Sequence, residues 1–328
     1  MHRRSLFVRL AATSLWTLRP FAAVAQSRSG RMHRVAVVKQ GAEGLRTSFV
    51  EAMRELGYVE GRNLLIETRA AKGDSQRFAP LIAELIATKP DVIVVETTVG
   101  VLAAKRATST IPIVMLNVSD PVGSGLVSSL GHPGGNVTGA TDHGLALAEK
   151  SVDLVRAIAP SSARLGVLVP DGPVAPSQFE RIAAAADRIS LSVLSFQVAS
   201  LEDLDRAFAA MVAQKVDAFI PLAGAPLSST WQQVDAVVAL AAKARLPAVY
   251  GISDAVIRGG LMSYATSLDA RWKLAATYVD RILRGARPAA LPVRQPMTFE
   301  LFINRKTAAR LGLTIPPALL LQADKIIS

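Results

Sequence analysis

The stretch LNVSDPVGSGLVSSLGHPGGNVTG (116–139) gathers the residues best suited to chemistry: Asp120 beside a proline, Gly123-Ser124-Gly125, and a Pro-Gly-Gly-Asn turn. A Gly-x-Gly behind a strand opens a dinucleotide fingerprint, because glycines let backbone approach a pyrophosphate. Here the third position is Ser128, and the first strand is followed only by Gly41 and Gly44, so a nucleotide cradle is disfavoured. Asp120 with Asp254 is a candidate acid–base pair. Each also suits an Asx turn or a helix cap, and Pro121 tips Asp120 toward that role. His132 and His143 are the histidines able to reach such a place, and neither a GxSxG elbow nor an HExxH zinc motif accompanies them. The chain has no cysteine, which excludes disulfides, thiolate metal sites, cysteine nucleophiles and lipid-modified cysteine. Binding of a small molecule without catalysis, metal or cofactor is the economical reading.

The elements that position these residues alternate. RVAVV (34–38) is a strand, 44–57 a helix closed by Gly57, LLIETRA a strand, SQRFAPLIAELIAT a helix whose start Pro80 can shift, DVIVVE a strand, VGVLAAKRAT a helix and IPIVMLN a strand. A second series starts at Arg164: RLGVLV, SQFERIAAAADRI, LSVLSFQV, LEDLDRAFAAMVAQ, DAFIPL, WQQVDAVVALAAKA and PAVYG. Strands alternating with helical stretches are the mark of βαβ units around a parallel sheet.

The letters repeat as well. TKPDVIVV returns as QKVDAFIP, pairing Asp91 with Asp217; Lys105 pairs with Lys243 and Pro112 with Pro247; SDPVGSGLVSS returns as SDAVIRGGLMS, pairing Asp120 with Asp254. Four matches in one order at similar offsets imply two lobes of one α/β plan. The helix SLDARWKLAATYVDRILRG follows the second lobe and is expected to return to the first, and a Pro-rich connector leads to one more strand and the short helix RKTAARLG.

With 328 residues, half of them hydrophobic, the chain can bury two cores. The net charge of +11 is inflated by Arg3, Arg4, Arg9 and Arg19 in an N-terminal address. The other charges are scattered without interleaved aromatics, so nucleic acid is not an expected partner. Residues 1–25 read as a signal peptide: a basic start, a short apolar run, and small residues at Ala23 and Ala25 before a cut at Gln26. Arg3-Arg4 resembles the twin-arginine export motif. The apolar run before Arg19 is shorter than the about 20 residues a membrane span needs. A periplasmic product, not lipid-anchored, is expected.

ELGYVEGRNLLIE, KPDVIVVETT, IPIVMLNVSDPVGSGLVSSLGHPGGNVTG, RLPAVYG and the run from Gly259 to Leu320 resemble substrate-binding proteins of ABC transporters, in the family that includes the tryptophan- and tyrosine-binding receptors. The resemblance implies a type I periplasmic-binding-protein fold: α/β, two Rossmann-like lobes with parallel sheets joined by a hinge. It assigns 33–140 plus 265–292 to lobe I and 141–264 plus 293–328 to lobe II. It implies a small-molecule ligand, amino-acid-like or an aromatic acid, an ABC permease as membrane partner, and a monomer. The pocket it implies lies at the strand ends: Gln40, Gly41, Thr97, Thr98, Asn117, Ser119, Asp120, Thr138 and Gly139 from lobe I, and Gly224, Ala225, Tyr250 and Asp254 from lobe II. Amino-acid-binding relatives carry an acid where this chain has Gly224-Ala225. The alternative to a receptor is a periplasmic enzyme for a small polar substrate, with Asp120 or Asp254 as acid or base.

Overall fold

In the first strand, β1 (His33–Lys39), every residue of the run VAVV is buried, because both faces of its sheet are covered. Val35 and Val37 point to one core and Ala36 and Val38 to another, the period-two alternation of a strand. A computed structural model describes residues 31–41, 47–142, 144–171, 175–222, 224, 227, 230–296 and 298–328. After β1 come α1 (Thr47–Glu55), β2 (Leu64–Ala70), α2 (Phe78–Ala87), β3 (Val92–Glu96), α3 (Thr98–Ala107), β4 (Ile113–Val118) and β5 (Val137–Thr141). They form a parallel sheet of order β2-β1-β3-β4-β5. Pro80 falls in the first turn of α2, where its missing N–H is harmless, and a single 3-10 turn capped by Asp74 precedes it.

The chain then crosses to the second lobe through α4 (Gly144–Ile158), followed by β6 (Arg164–Pro170), α5 (Ala175–Asp187), β7 (Ser192–Val198), α6 (Asp203–Ala213), β8 (Ala218–Pro221), α7 (Trp231–Ala244), β9 (Val249–Tyr250), α8 (Ser253–Ile257) and β10 (Met262–Thr266). Here too alternate residues divide between cores: Leu165, Val167 and Ile220 on one face, Leu168 and Phe219 on the other. Strands run in the order β7-β6-β8, and a bridge from Phe219 to Ala248 carries the sheet on to β9 and β10.

From β10 the chain returns to the first lobe as α9 (Leu268–Leu283), which packs on α1, β3, β4 and β5. Its buried stripe includes Trp272, Ala275, Ala276, Val279 and Ile282, and Trp272 meets Phe49 edge-on at 5.5 Å. A third crossing leads to β11 (Phe299–Asn304), α10 (Arg305–Leu311), α11 (Pro317–Gln322) and β12 (Lys325–Ile327). β11 pairs antiparallel with β10, which departs from the all-parallel expectation. The reason is topological: β10 leaves its lobe at the cleft end, and the chain re-enters at that same end. α4, α8, β10, α11 and β12 are further elements that the sequence pattern does not announce. α4 is an amphipathic helix lying where the chain changes lobes, so it falls outside either repeating series.

The repeat extends to individual hydrogen bonds. Asp91 Oδ2 accepts the Arg34 N–H at the start of β1 at 2.8 Å, and Asp217 Oδ2 accepts the Ala163 and Arg164 N–H groups at the start of β6 at 2.8 and 2.9 Å. Pro112 and Pro247 likewise match: each carbonyl takes the N–H of the neighbouring strand, from Ile93 and from Phe219, at 2.9 Å.

Candidate functional site

The C-terminal ends of β1, β3 and β4 lie side by side, and their last residues build one polar cluster. Glu96, closing β3, is 8% exposed. One of its carboxylate oxygens accepts the Gln40 backbone N–H at 3.0 Å and the other accepts Asn117 Nδ2 at 3.3 Å. Gln40 Oε1 and Asn117 Oδ1 are shielded from solvent and accept no hydrogen bond among the described residues. Two neighbours hold backbone conformations that a Cβ disfavours. Thr97 has φ 69° and ψ 152°, a region almost reserved for glycine, and Asn117 has φ 55°. The β4–β5 register shifts between Met115 and Val118, so Asn117 sits on an irregularity that turns it out of the ladder. Thr97 caps α3, its hydroxyl accepting the Gly100 N–H at 3.3 Å, and Thr98 is buried behind it.

The glycine-rich loop after β4 is held by its own hydrogen bonds. Asp120 Oδ1 accepts the Gly123 N–H at 2.8 Å, and Ser124 donates from both N and Oγ to the Asp120 carbonyl. A Cβ on Gly123 would lie 2.0 Å from Asp120 Oδ2, so the turn itself demands that glycine. Lys105 Nζ reaches the Gly125 and Leu126 carbonyls at 2.6 and 3.1 Å. Leu126 and Val127 are buried, so the loop is a folded wall; Asp120 is its turn cap.

Thr138 and Gly139 lie in the hinge. Thr138 is fully buried, with its hydroxyl donating to the Leu291 carbonyl at 2.6 Å. Gly139 has φ 135°, and a Cβ there would stand 2.4 Å from the Met115 carbonyl oxygen. The crossings are stitched together: Arg294 N–H donates to the Gly139 carbonyl and Thr141 N–H to the Arg294 carbonyl, both at 3.0 Å, and Ser267 N–H donates to the Thr298 carbonyl at 3.1 Å. Beside them Arg271 is 7% exposed, 4.0 Å from Asp142.

At the corresponding strand ends of the second lobe, Leu222, Leu227, Val234, Tyr250, Ile252 and Ala255 line an apolar pocket. Burial pushes the Tyr250 phenol well above its ordinary pKa. Its ring meets Phe219 edge-on at 6.3 Å, and a Cβ on Gly260 would lie 2.6 Å from the ring. Gly224, at φ 145°, turns the chain above the pocket, its carbonyl taking the Leu227 N–H at 2.8 Å. Asp254 stands in the first turn of α8. Ala225 and His143 lie outside the described residues.

The lobes touch across the cleft. Gln178 on α5 donates from Nε2 to Ser119 Oγ at 3.4 Å, and Gly73 faces Thr230 and Gln233 at the start of α7, where a Cβ would meet them at 2.9 and 2.8 Å. Gln40, Thr97, Asn117 and Ser119 are thus gathered on one wall. Sequence reading missed two members, Glu96 and Gln178. The signal for Glu96 is in VIVVETT: a charged residue closing a strand buried throughout. Gln178 is one polar residue on an amphipathic helix and carries no such mark. Among the described residues no group of three His, Cys, Asp or Glu side chains is placed to hold a metal ion. No helix among them is long and apolar enough to cross a membrane.

Several known proteins share this architecture. The tyrosine-binding protein of Clostridioides difficile (strain R20291) is 26% identical over 266 residues, 81% of this chain and 75% of that protein. The crystal structure of the ABC domain in complex with L-Trp from Streptococcus pneumonia matches with a TM-score of 0.82 and 26% identity, over 90% of this chain and 100% of that one. A conserved domain protein from Vibrio cholerae O1 biovar eltor matches with a TM-score of 0.84 and 29% identity, over 90% and 100%. Residues 34–327, from β1 to β12, match the family described as ABC transporter substrate binding protein, and the chain belongs to that family.

Proposed function

We propose that this chain is the extracytoplasmic receptor of an ABC importer, closing its lobes on a small organic solute and releasing it unaltered to the permease. The observation that carries this reading is the pair of unlike walls at facing strand ends. Lobe I presents Gln40, Glu96 and Asn117, and lobe II presents the apolar pocket around Leu222, Tyr250 and Ile252. A solute with one polar end and one apolar body touches both, and contacts made only in the closed state favour closure. One relative is named for tyrosine and one structure holds L-Trp, so amino-acid-like solutes and aromatic acids are the first class to test. Asp120, committed to its turn, gives little support to an acid–base role.

Lobe I is read as 33–140 plus 265–292 and lobe II as 141–264 plus 293–328; the packing of α9 on α1 supports that division. Residues 1–25 are read as an export signal of twin-arginine type, and the working receptor as a periplasmic monomer. A thermal-shift screen over amino acids, aromatic acids, sugars and purines tests the function. A true ligand at a hundred times its Kd stabilises by about 2.7 kcal/mol. Any catalysed conversion of a bound compound that Asp120→Asn abolishes would sink the receptor reading. N-terminal sequencing of exported protein that returned Met1 would refute cleavage near Gln26.

A further inference from the structure

The lobe I cluster is rich in acceptors. Among its partners, one Glu96 carboxylate oxygen accepts the Gln40 N–H and the other accepts the Asn117 amide N–H. The latter bond fixes the Asn117 side chain, since rotating the amide by a half turn would set oxygen against carboxylate. Oδ1 is therefore the atom left facing away from Glu96, and among the described residues it accepts nothing. Gln40 Oε1 is in the same state on a side chain that is 6% exposed. Buried amide oxygens without donors are costly, and such exceptions ask for a missing partner. These two flank a buried carboxylate, at strand ends that Ser119 and Gln178 show to face the opposite lobe. The strand ends of the other lobe contribute the apolar side chains around Leu222, Tyr250 and Ile252.

We infer that Gln40, Glu96 and Asn117 select a solute carrying a protonated nitrogen. Its N–H groups donate to Gln40 Oε1 and Asn117 Oδ1, and Glu96 supplies the compensating charge. The inference rests on the receptor reading and narrows its substrate class. It also moves the acid that is lacking at Gly224 to the other side of the cleft.

Matched probe sets test it by calorimetric titration: L-tryptophan, 3-(indol-3-yl)propanoate and tryptamine; L-tyrosine, 3-(4-hydroxyphenyl)propanoate and tyramine; and L-leucine with 4-methylpentanoate. In the set that binds, removal of the nitrogen is expected to weaken binding by about tenfold or more. Glu96→Gln is expected to weaken the nitrogen-bearing probes by a similar factor, and by more than it weakens the deaminated acid. The comparison among probes on the unmodified protein needs no variant, so misfolding of Glu96→Gln cannot hide the answer. Equal binding of an amino acid and its deaminated counterpart overturns the inference. So does a broad screen whose binders all lack a protonated nitrogen, although the receptor reading then survives. A screen without any binder of any class defeats the receptor reading, and this inference with it.

Discussion

Gln178 Nε2 stands 3.4 Å from Ser119 Oγ, joining a helix of one lobe to the loop that closes the cleft wall of the other. Gln178 is nearly fully buried, so this contact belongs to the closed arrangement rather than to a solvated surface. Removing it with Gln178→Ala is expected to enlarge the open population and weaken solute binding several-fold, in line with about 1 kcal/mol for one neutral hydrogen bond. Small-angle scattering without solute should show a larger radius of gyration than the unmodified protein. An unchanged radius and affinity would show that the contact does not latch the lobes.

Thr97 holds a β-branched side chain at φ 69°, ψ 152°. Conformations of this kind cost about 1–3 kcal/mol for a residue with a Cβ, whereas replacing a threonine cap by glycine costs only a few tenths. Thr97→Gly is therefore expected to raise unfolding free energy by about 1 kcal/mol in urea titration, and to lower solute affinity by loosening the strand end. A less stable variant would mean that the threonine contacts outweigh the strain.

Gly139→Ala is expected to have the opposite effect. Its Cβ would sit 2.4 Å from the Met115 carbonyl oxygen and 2.7 Å from the Met115 nitrogen, at a φ of 135°. Backbone atoms on both strands must move, so a loss of more than about 2 kcal/mol is expected in denaturant. A loss within experimental error would mean that the hinge yields easily there.

Asp91→Ala and Asp217→Ala should behave as a pair. Each removes a carboxylate that clamps the start of its lobe's first strand, and Asp217 takes two N–H groups where Asp91 takes one among the bonds described above. Losses of about 1–2 kcal/mol are expected at each site. A cost at one site only would break the equivalence of the two lobes.

Alkaline pH gives a further test. Burial raises the pKa of Tyr278, and burial followed by hydrogen bonding to Asp280 raises that of Tyr58. A folded-state pKa above the unfolded value means that the folded protein holds the proton more tightly. That stability is full below the ordinary tyrosine pKa of about 10 and is lost as pH rises toward the folded values. Unfolding free energy should fall above that pH, and Tyr278→Phe should flatten the fall while costing the hydrogen bond from Tyr278 to the Pro292 carbonyl.

The sequence made some of this legible and concealed the rest for physical reasons. VAVV and VIVV declare strands covered on both faces, and the pairing of Asp91 with Asp217 survives because a carboxylate clamping a strand start has few substitutes. Gln40, Thr97 and Asn117 are expected at the site because the family resemblance places its pocket at strand ends, where ligands meet protein in such sheets. Glu96 was overlooked because, read along the chain, an acid after an apolar run is only the end of a strand; its burial comes from Gln40 and Asn117, distant in sequence. α4 belongs to a change of lobe, which local periodicity does not reveal.

The return of α9 to the first lobe sets an order for synthesis. The core on one face of the β1–β5 sheet joins Val35, Phe49 and Val94 to Trp272, Val279 and Leu291. A chain made from its N-terminus therefore carries that face half covered while the whole stretch from β6 to β10 is being added. The core formed by Leu168, Phe208, Phe219, Val237 and Ala255, by contrast, comes from one continuous segment and can close as soon as Ala255 is free. The lobe begun first is sealed only after part of the second has already formed.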